Sequence, residues 1–398
     1  MKNSDAVSKA ASSNRNNTGA AGRLRFLDGL RGIAILGVVL YHSFSHWPNL
    51  VPSAADYGNF PLFFYGGYGV ELFFMISGFV ILMTLEKCES FKSFMFKRWI
   101  RLFPAMLFCS ILIYITAPLL PERPFGAVVL RDFLPGLTFL QQDVWEFILG
   151  PNQGIVEGSF WTLFVEMKFY VIFGACYFII GAAGGIIVLT SLFLAHSLTT
   201  IIIFLTKDPS FLEAGNAQYL LNAFSAENFG WFAAGACFYL YFKSNNRNWA
   251  YYAMAATLLS TVFFKGTHLD LKVAALLFGT LFTSAVMSSQ VRRILASPML
   301  VFAGFISYPL YLLHENLVVA LSIRLNHWAP FIPSLILPVL PIGLVMGLAW
   351  LVAKYVEPQA RTTLRALLSD ANALLIRNLP ALSYSIAEKP IGRPEASD

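Results

Sequence analysis

The sequence predicts an all-α, polytopic membrane protein: a bundle of about ten transmembrane helices with both termini in the cytoplasm. Three observations carry that prediction. Apolar and aromatic residues make up 57% of the 398-residue chain and charged residues only 13%, against about a quarter charged in a soluble domain. The apolar residues fall in runs of about 20, the length of helix that crosses roughly 30 Å of hydrocarbon. Basic residues are divided unevenly between the connecting segments, as the positive-inside rule requires of an oriented bundle. The same composition excludes disordered, collagen-like, coiled-coil and disulfide-scaffold classes. The surplus of 28 Lys and Arg over 22 Asp and Glu reports orientation, and no nucleic-acid partner is expected from it.

Taken in order, residues 1–25 are rich in Ser, Asn, Ala and Gly, with Lys2, Lys9, Arg15, Arg23 and Arg25 but no apolar run. They read as a flexible cytoplasmic tail and not as a cleavable signal. A membrane domain is expected over 26–360, with apolar runs near 27–46, 62–85, 99–120, 159–180, 184–205, 219–242, 249–264, 271–288, 299–323 and 331–355. Only Gly181-Ala182-Ala183-Gly184-Gly185 divides the fourth run from the fifth, and the seventh is short. A cytoplasmic tail, helical over 362–378, is expected to occupy 361–398. With both ends inside, only Arg123, Arg131, Lys207, Lys265, Lys272 and Arg324 of the 28 Lys and Arg fall outside, and Lys168 lies within a span. The longest outer connection, about 121–158, holds Pro121, Pro124, Pro135 and Pro151 and one apolar stretch suited to the membrane interface. Cys88, Cys109, Cys176 and Cys237 have no CxxC spacing, so neither a disulfide nor a zinc site is expected from them.

Ionisable side chains inside a span are expensive and are therefore functional candidates. Arg31 and His42 lie eleven residues apart on the first run, three turns plus about 20°, which places them on one face roughly 16 Å apart along the axis. Glu71 lies in the outer half of the second run, within Gly66-Gly67-Tyr68-Gly69-Val70-Glu71. Arg98 and Arg101, three apart, share a helix face, and two fork-shaped guanidiniums suit a phosphate-rich ligand. Glu166 and Tyr170 share a face of the fourth run, and Ser307, Tyr311 and His314 form a polar stripe on the ninth. Arginines at the inner mouth with acid–base groups deeper suit a donor with a charged phosphate head and a long thin reactive arm, the shape of acyl-coenzyme A. A neutral histidine is the natural base for a hydroxyl. His42 and His46 also have the i, i+4 spacing of metal ligands. No metal is expected, because no run supplies a third His or Cys at that depth.

These residues together resemble the acyltransferase family 3 membrane proteins, which O-acylate bacterial surface and exported glycans. The resemblance runs from about Arg25 to Arg361. It rests on Arg31-x10-His42, the Gly69–Phe79 segment, Arg98-x-x-Arg101-x-x-Pro104, Trp161 through Glu166 to Phe169-Tyr170, Ile306-Ser307-Tyr308-Pro309 through His314, and Val356-Glu357-Pro358. The chain departs from the family pattern at Glu71, where Asp is usual, at Met167, where a second acid usually follows Glu166, and at Phe164, where a small hydroxyl residue is common. The resemblance implies transfer of an acyl group, usually acetyl, from cytoplasmic acyl-coenzyme A to a hydroxyl of a carbohydrate, in a lipid-linked form or otherwise. It implies a protein of the bacterial inner membrane. His42, Glu166 and Glu71 are then the catalytic candidates, and Arg31, Arg98 and Arg101 hold the donor. Tyr170, Ser307, Tyr311 and His314 contact the acceptor or support the base. The contrasting expectation is a carrier or flippase of a lipid-linked sugar or small anion, whose buried charges line an alternating pathway.

Overall fold

The structure is a computed structural model that describes residues 18–19, 23–206, 217–264 and 268–378. The expected tails at 1–25 and 361–398 lie largely outside the described residues. Apart from a two-residue strand pair, Thr18–Gly19 with Arg23–Leu24, the described chain is helical. Its longer helices are α1 (Arg25–Phe44), α2 (Gly69–Leu85), α3 (Phe91–Thr116), α4 (Trp161–Thr206), α5 (Phe229–Ser244), α6 (Arg247–Val262), α7 (Leu269–Met287), α8 (Pro298–Trp328), α9 (Val339–Leu351) and α10 (Glu357–Asn378). Among the described residues, seven helical stretches are long and apolar enough to cross a membrane, so the chain is a multi-pass membrane helical bundle.

The expected runs meet this pattern with one difference. The fourth and fifth are the two halves of α4, two helices that meet at Gly181, whose φ of 77° and ψ of 177° are non-helical. Glycine reaches that conformation without a Cβ penalty, and a Cβ on Gly185 would stand 2.9 Å from the Phe173 ring, so the Gly/Ala segment folds the second helix back on the first, as the division of the two runs predicts. The sixth and seventh runs are α5 and α6, 16 residues each, too short to stand among the seven. Gln142–Leu149, in the long connection, is a helix with no buried residue, and its Phe147 is 92% exposed, as an interfacial segment would be.

Backbone approach fixes which helices are neighbours. α8 is the centre of the bundle, most of its residues buried, and it lies parallel to α1. A Cβ on Gly304 of α8 would stand 1.9 Å from the Asp28 carbonyl oxygen, and one on Gly32 of α1 would stand 2.2 Å from that of Leu300. Such contact is open only to residues without side chains, the small-residue packing of membrane helices. It also sets the register that carries His42 to the level of His314. α2 runs antiparallel to α5 by the same means, Gly78 against Phe232 and Gly235 against Met75. Ser90 caps α3, its Oγ accepting from Ser93 N at 3.2 Å, which begins the helix about two turns before Arg98.

Candidate functional site

Arg31, Arg98, Arg101, Glu166, Tyr170, Ser307 and Tyr311 line one cavity of about 490 Å³ between α1, α2, α3, α4 and α8. Its basic mouth is built from three elements. On α1, Arg31 Nη1 reaches Asp28 Oδ1 at 3.4 Å. Arg98 on α3 is buried, donates to Thr84 Oγ1, and lies 5.8 Å from the ring centre of Phe94 and 5.9 Å from that of Tyr170. Arg361 on α10 pairs with Glu357 and donates to the Arg101 carbonyl oxygen at 3.1 Å. Arg361 was not among the sequence candidates, although it follows the Val356-Glu357-Pro358 segment by three residues. The Nε–H groups of Arg98 and Arg361 are buried and donate to no acceptor among the described residues, an arrangement that suits an anionic guest.

Ser77 donates to Glu166 partway along the cavity. At the far end Tyr311 donates its hydroxyl proton to the Ser159 carbonyl at 2.6 Å and lies 2.6 Å from Thr162 Oγ1. His42, Glu71 and His314 do not line this cavity. Glu71 is buried on α2. The His314 ring is tilted against that of Tyr311, with centres 5.5 Å apart, and meets the His42 ring edge to face at 4.7 Å.

Hydrogen-bond chemistry assigns the proton positions of the two imidazoles. His314 Nδ1 lies 2.9 Å from the Tyr311 carbonyl oxygen, which only accepts, so Nδ1 carries hydrogen and a neutral ring leaves Nε2 bare. That Nε2 lies 3.2 Å from His42 Nδ1, which is itself 2.9 Å from the Val38 carbonyl. His42 Nδ1 therefore carries hydrogen, shared between two acceptors, and its Nε2 keeps the free lone pair. The carboxylate facing that lone pair is Glu315, whose Oε1 lies 3.8 Å away, whereas Glu166 sits with the arginines. Glu315 escaped the sequence reading because it falls one residue off the Ser307, Tyr311, His314 stripe, about 100° round the helix.

Glu315 belongs to a second polar cluster at the end of the bundle remote from the arginines. Its Oε2 accepts from Ser159 N at 2.6 Å, and its Oε1 is also 3.8 Å from His46 Nε2. Next to it Asn316 donates to Glu157, and Arg123 Nη2 lies 3.8 Å from Glu157 Oε1. Burial and the Glu315 carboxylate push the Glu157 carboxyl up to about 8, against the opposing pull of Arg123. The four cysteines are unpaired.

Fold and site define a helical membrane protein with a basic-mouthed cavity and, behind its Tyr311, an imidazole pair of buried His314 and half-buried His42. The chain belongs to the family described as Acyltransferase domain, which matches residues 24–356. The O-acetyltransferase OatA of Staphylococcus aureus (strain NCTC 8325 / PS 47) is 30% identical over 161 residues, 37% of this chain and 23% of that protein. The O-acetyl transferase of Shigella phage Sf6 is 30% identical over 137 residues, 33% of this chain and 41% of its own. The matched segment thus spans less than half of either relative. No solved structure matches the chain.

Proposed function

We propose that this protein is an integral-membrane O-acyltransferase that moves an acyl group, most simply acetyl, from cytoplasmic acyl-coenzyme A to a hydroxyl of a carbohydrate in the bacterial cell envelope. The observation that carries the reading is the single cavity with arginines at one end and Tyr311, backed by the His314–His42 pair, at the other. Support also comes from the family and from the names of the two relatives. Arg31, Arg98 and Arg101, joined by Arg361, bind the donor phosphates at the cytoplasmic face by charge-assisted hydrogen bonds. The pantetheine arm lies along Ser77, Glu166, Tyr170 and Ser307, and the thioester arrives at Thr162 and Tyr311. Tyr311 stands between that point and His42, so its side chain must turn for the reactants to meet.

His42 Nε2 takes the proton of the acceptor hydroxyl as the oxygen attacks the thioester carbonyl. The Glu315 carboxylate stabilises the imidazolium so formed, and His314 keeps the other ring nitrogen protonated. Collapse of the tetrahedral intermediate breaks the carbon–sulfur bond, and the imidazolium returns its proton to the departing thiolate. The acceptor binds at the outer face, beside His42 and Glu315.

Purified protein reconstituted in sealed lipid vesicles, incubated with labelled acetyl-coenzyme A and candidate envelope glycans, tests the proposal. Labelled glycan with an equal amount of free coenzyme A is expected. His42→Ala should lower the rate by roughly 10²–10⁴-fold. Movement of a glycan across the bilayer without thioester loss would replace the enzyme with a carrier.

A further inference from the structure

The polar cluster beyond His42 has the form of a metal site. We infer that His42, His46 and Glu315 bind a divalent transition cation of the zinc class, open to solvent at the end of the bundle remote from the arginines. The ligand atoms of the three residues lie within 4.8 Å of one another. Both imidazole Nε2 atoms are 3.8 Å from the same carboxylate oxygen, Glu315 Oε1. Bonds of about 2.0–2.2 Å to zinc require each group to close in by only a few tenths of an ångström.

The outer shell agrees with this. A metal-binding imidazole donates its other N–H to a fixed acceptor, which aims the bare nitrogen at the ion. His42 Nδ1 is held by the Val38 carbonyl at 2.9 Å, and His46 Nδ1 lies 3.1 Å from the Tyr41 hydroxyl. The second oxygen of Glu315 is fixed by Ser159 N. All three donors are thus braced from behind and face one point. Two imidazoles and one carboxylate leave a fourth position free, and the His46 side chain is 37% exposed whereas that of Glu315 is 2% exposed, so an ion enters past His46. The N₂O donor set favours zinc over magnesium or calcium, which prefer oxygen shells.

The inference bears on the proposed activity, because a bound cation occupies the lone pair on His42 Nε2 that would take the acceptor proton. Zinc at this site therefore inhibits transfer, and this consequence rests on the reading of His42 as the base. The test uses the full chain in detergent, stripped with a chelator and titrated with zinc against a fluorescent zinc indicator, with magnesium as control. One zinc per chain is expected, unaffected by magnesium. His46→Ala and Glu315→Gln should each weaken zinc binding by roughly 10–100-fold, and thermal melting verifies that each variant is folded. No zinc binding by the native chain, or equal binding by the two folded variants, would overturn the site. In the acetyl-transfer assay zinc should slow the native protein and a chelator should restore it. The inhibiting concentration should rise at least tenfold for His46→Ala. Zinc that binds one per chain yet leaves transfer unchanged, or speeds it, would overturn the inhibition. A metal-free native chain that transfers nothing counts against the proposed activity, whereas the zinc stoichiometry alone decides the site.

Discussion

At the scale of single residues, the arrangement separates binding from chemistry. Arg101 is exposed at the cavity mouth, so Arg101→Ala should act on the donor with little damage to packing. A charge-assisted hydrogen bond contributes about 1.5–3 kcal/mol, and KM for acetyl-coenzyme A should rise by roughly 10- to 100-fold at nearly constant kcat. In the proposed mechanism His314 is a positioning residue, acting through His42. His314→Ala should lower kcat by roughly 10–100-fold with KM little changed, and His314→Gln, whose amide oxygen can still accept from His42 Nδ1, should recover part of the rate. A purely structural role would instead lower the melting temperature of both variants alike. The sequence reading reached Arg31 and His42 because helical periodicity alone puts them on one face. It assigned Glu166 or Glu71 as the partner of His42, since depth in the membrane was the only guide available. Choosing Glu315 requires knowing how α8 is rotated against α1, and side-chain periodicity within one helix says nothing about its neighbour.

At the scale of elements, that rotation depends on the glycine contacts between α1 and α8. Gly304→Ala places a methyl group where the Asp28 carbonyl oxygen already lies, and overpacking of this kind costs about 1–3 kcal/mol. The melting midpoint in detergent should fall, and transfer should fall further, because the separated helices no longer hold His42 against His314. Gly343→Ala on α9 is the control: a Cβ there meets nothing within 4 Å, and no loss of stability is expected. The apolar runs were legible because hydropathy reports length and bounds directly. The division of α4 at Gly181 was legible as well, since a glycine cluster between two apolar runs marks a place where the chain can turn.

At the scale of the whole molecule, the distribution of basic residues predicts that the arginine mouth faces the cytoplasm. Asn49 lies between α1 and α2, and Glu89 between α2 and α3, at opposite ends of the bundle. In a cysteine-free background, Asn49→Cys should react with an impermeant maleimide added to intact cells, and Glu89→Cys only after the inner membrane is opened. The reverse pattern would place donor binding on the wrong side for cytoplasmic acyl-coenzyme A. Tyr311, clasped by Thr162 and the Ser159 carbonyl, gives this orientation a further meaning. A passage wide enough for a thioester would, if it ran straight through, let protons and sodium down their gradients at every turnover. Under the proposed function, Tyr311 in the cavity wall would close such a passage at rest, keep the bilayer ion-tight and shield the loaded thioester from water on the far side, so that acetyl groups go to sugar and not to hydrolysis.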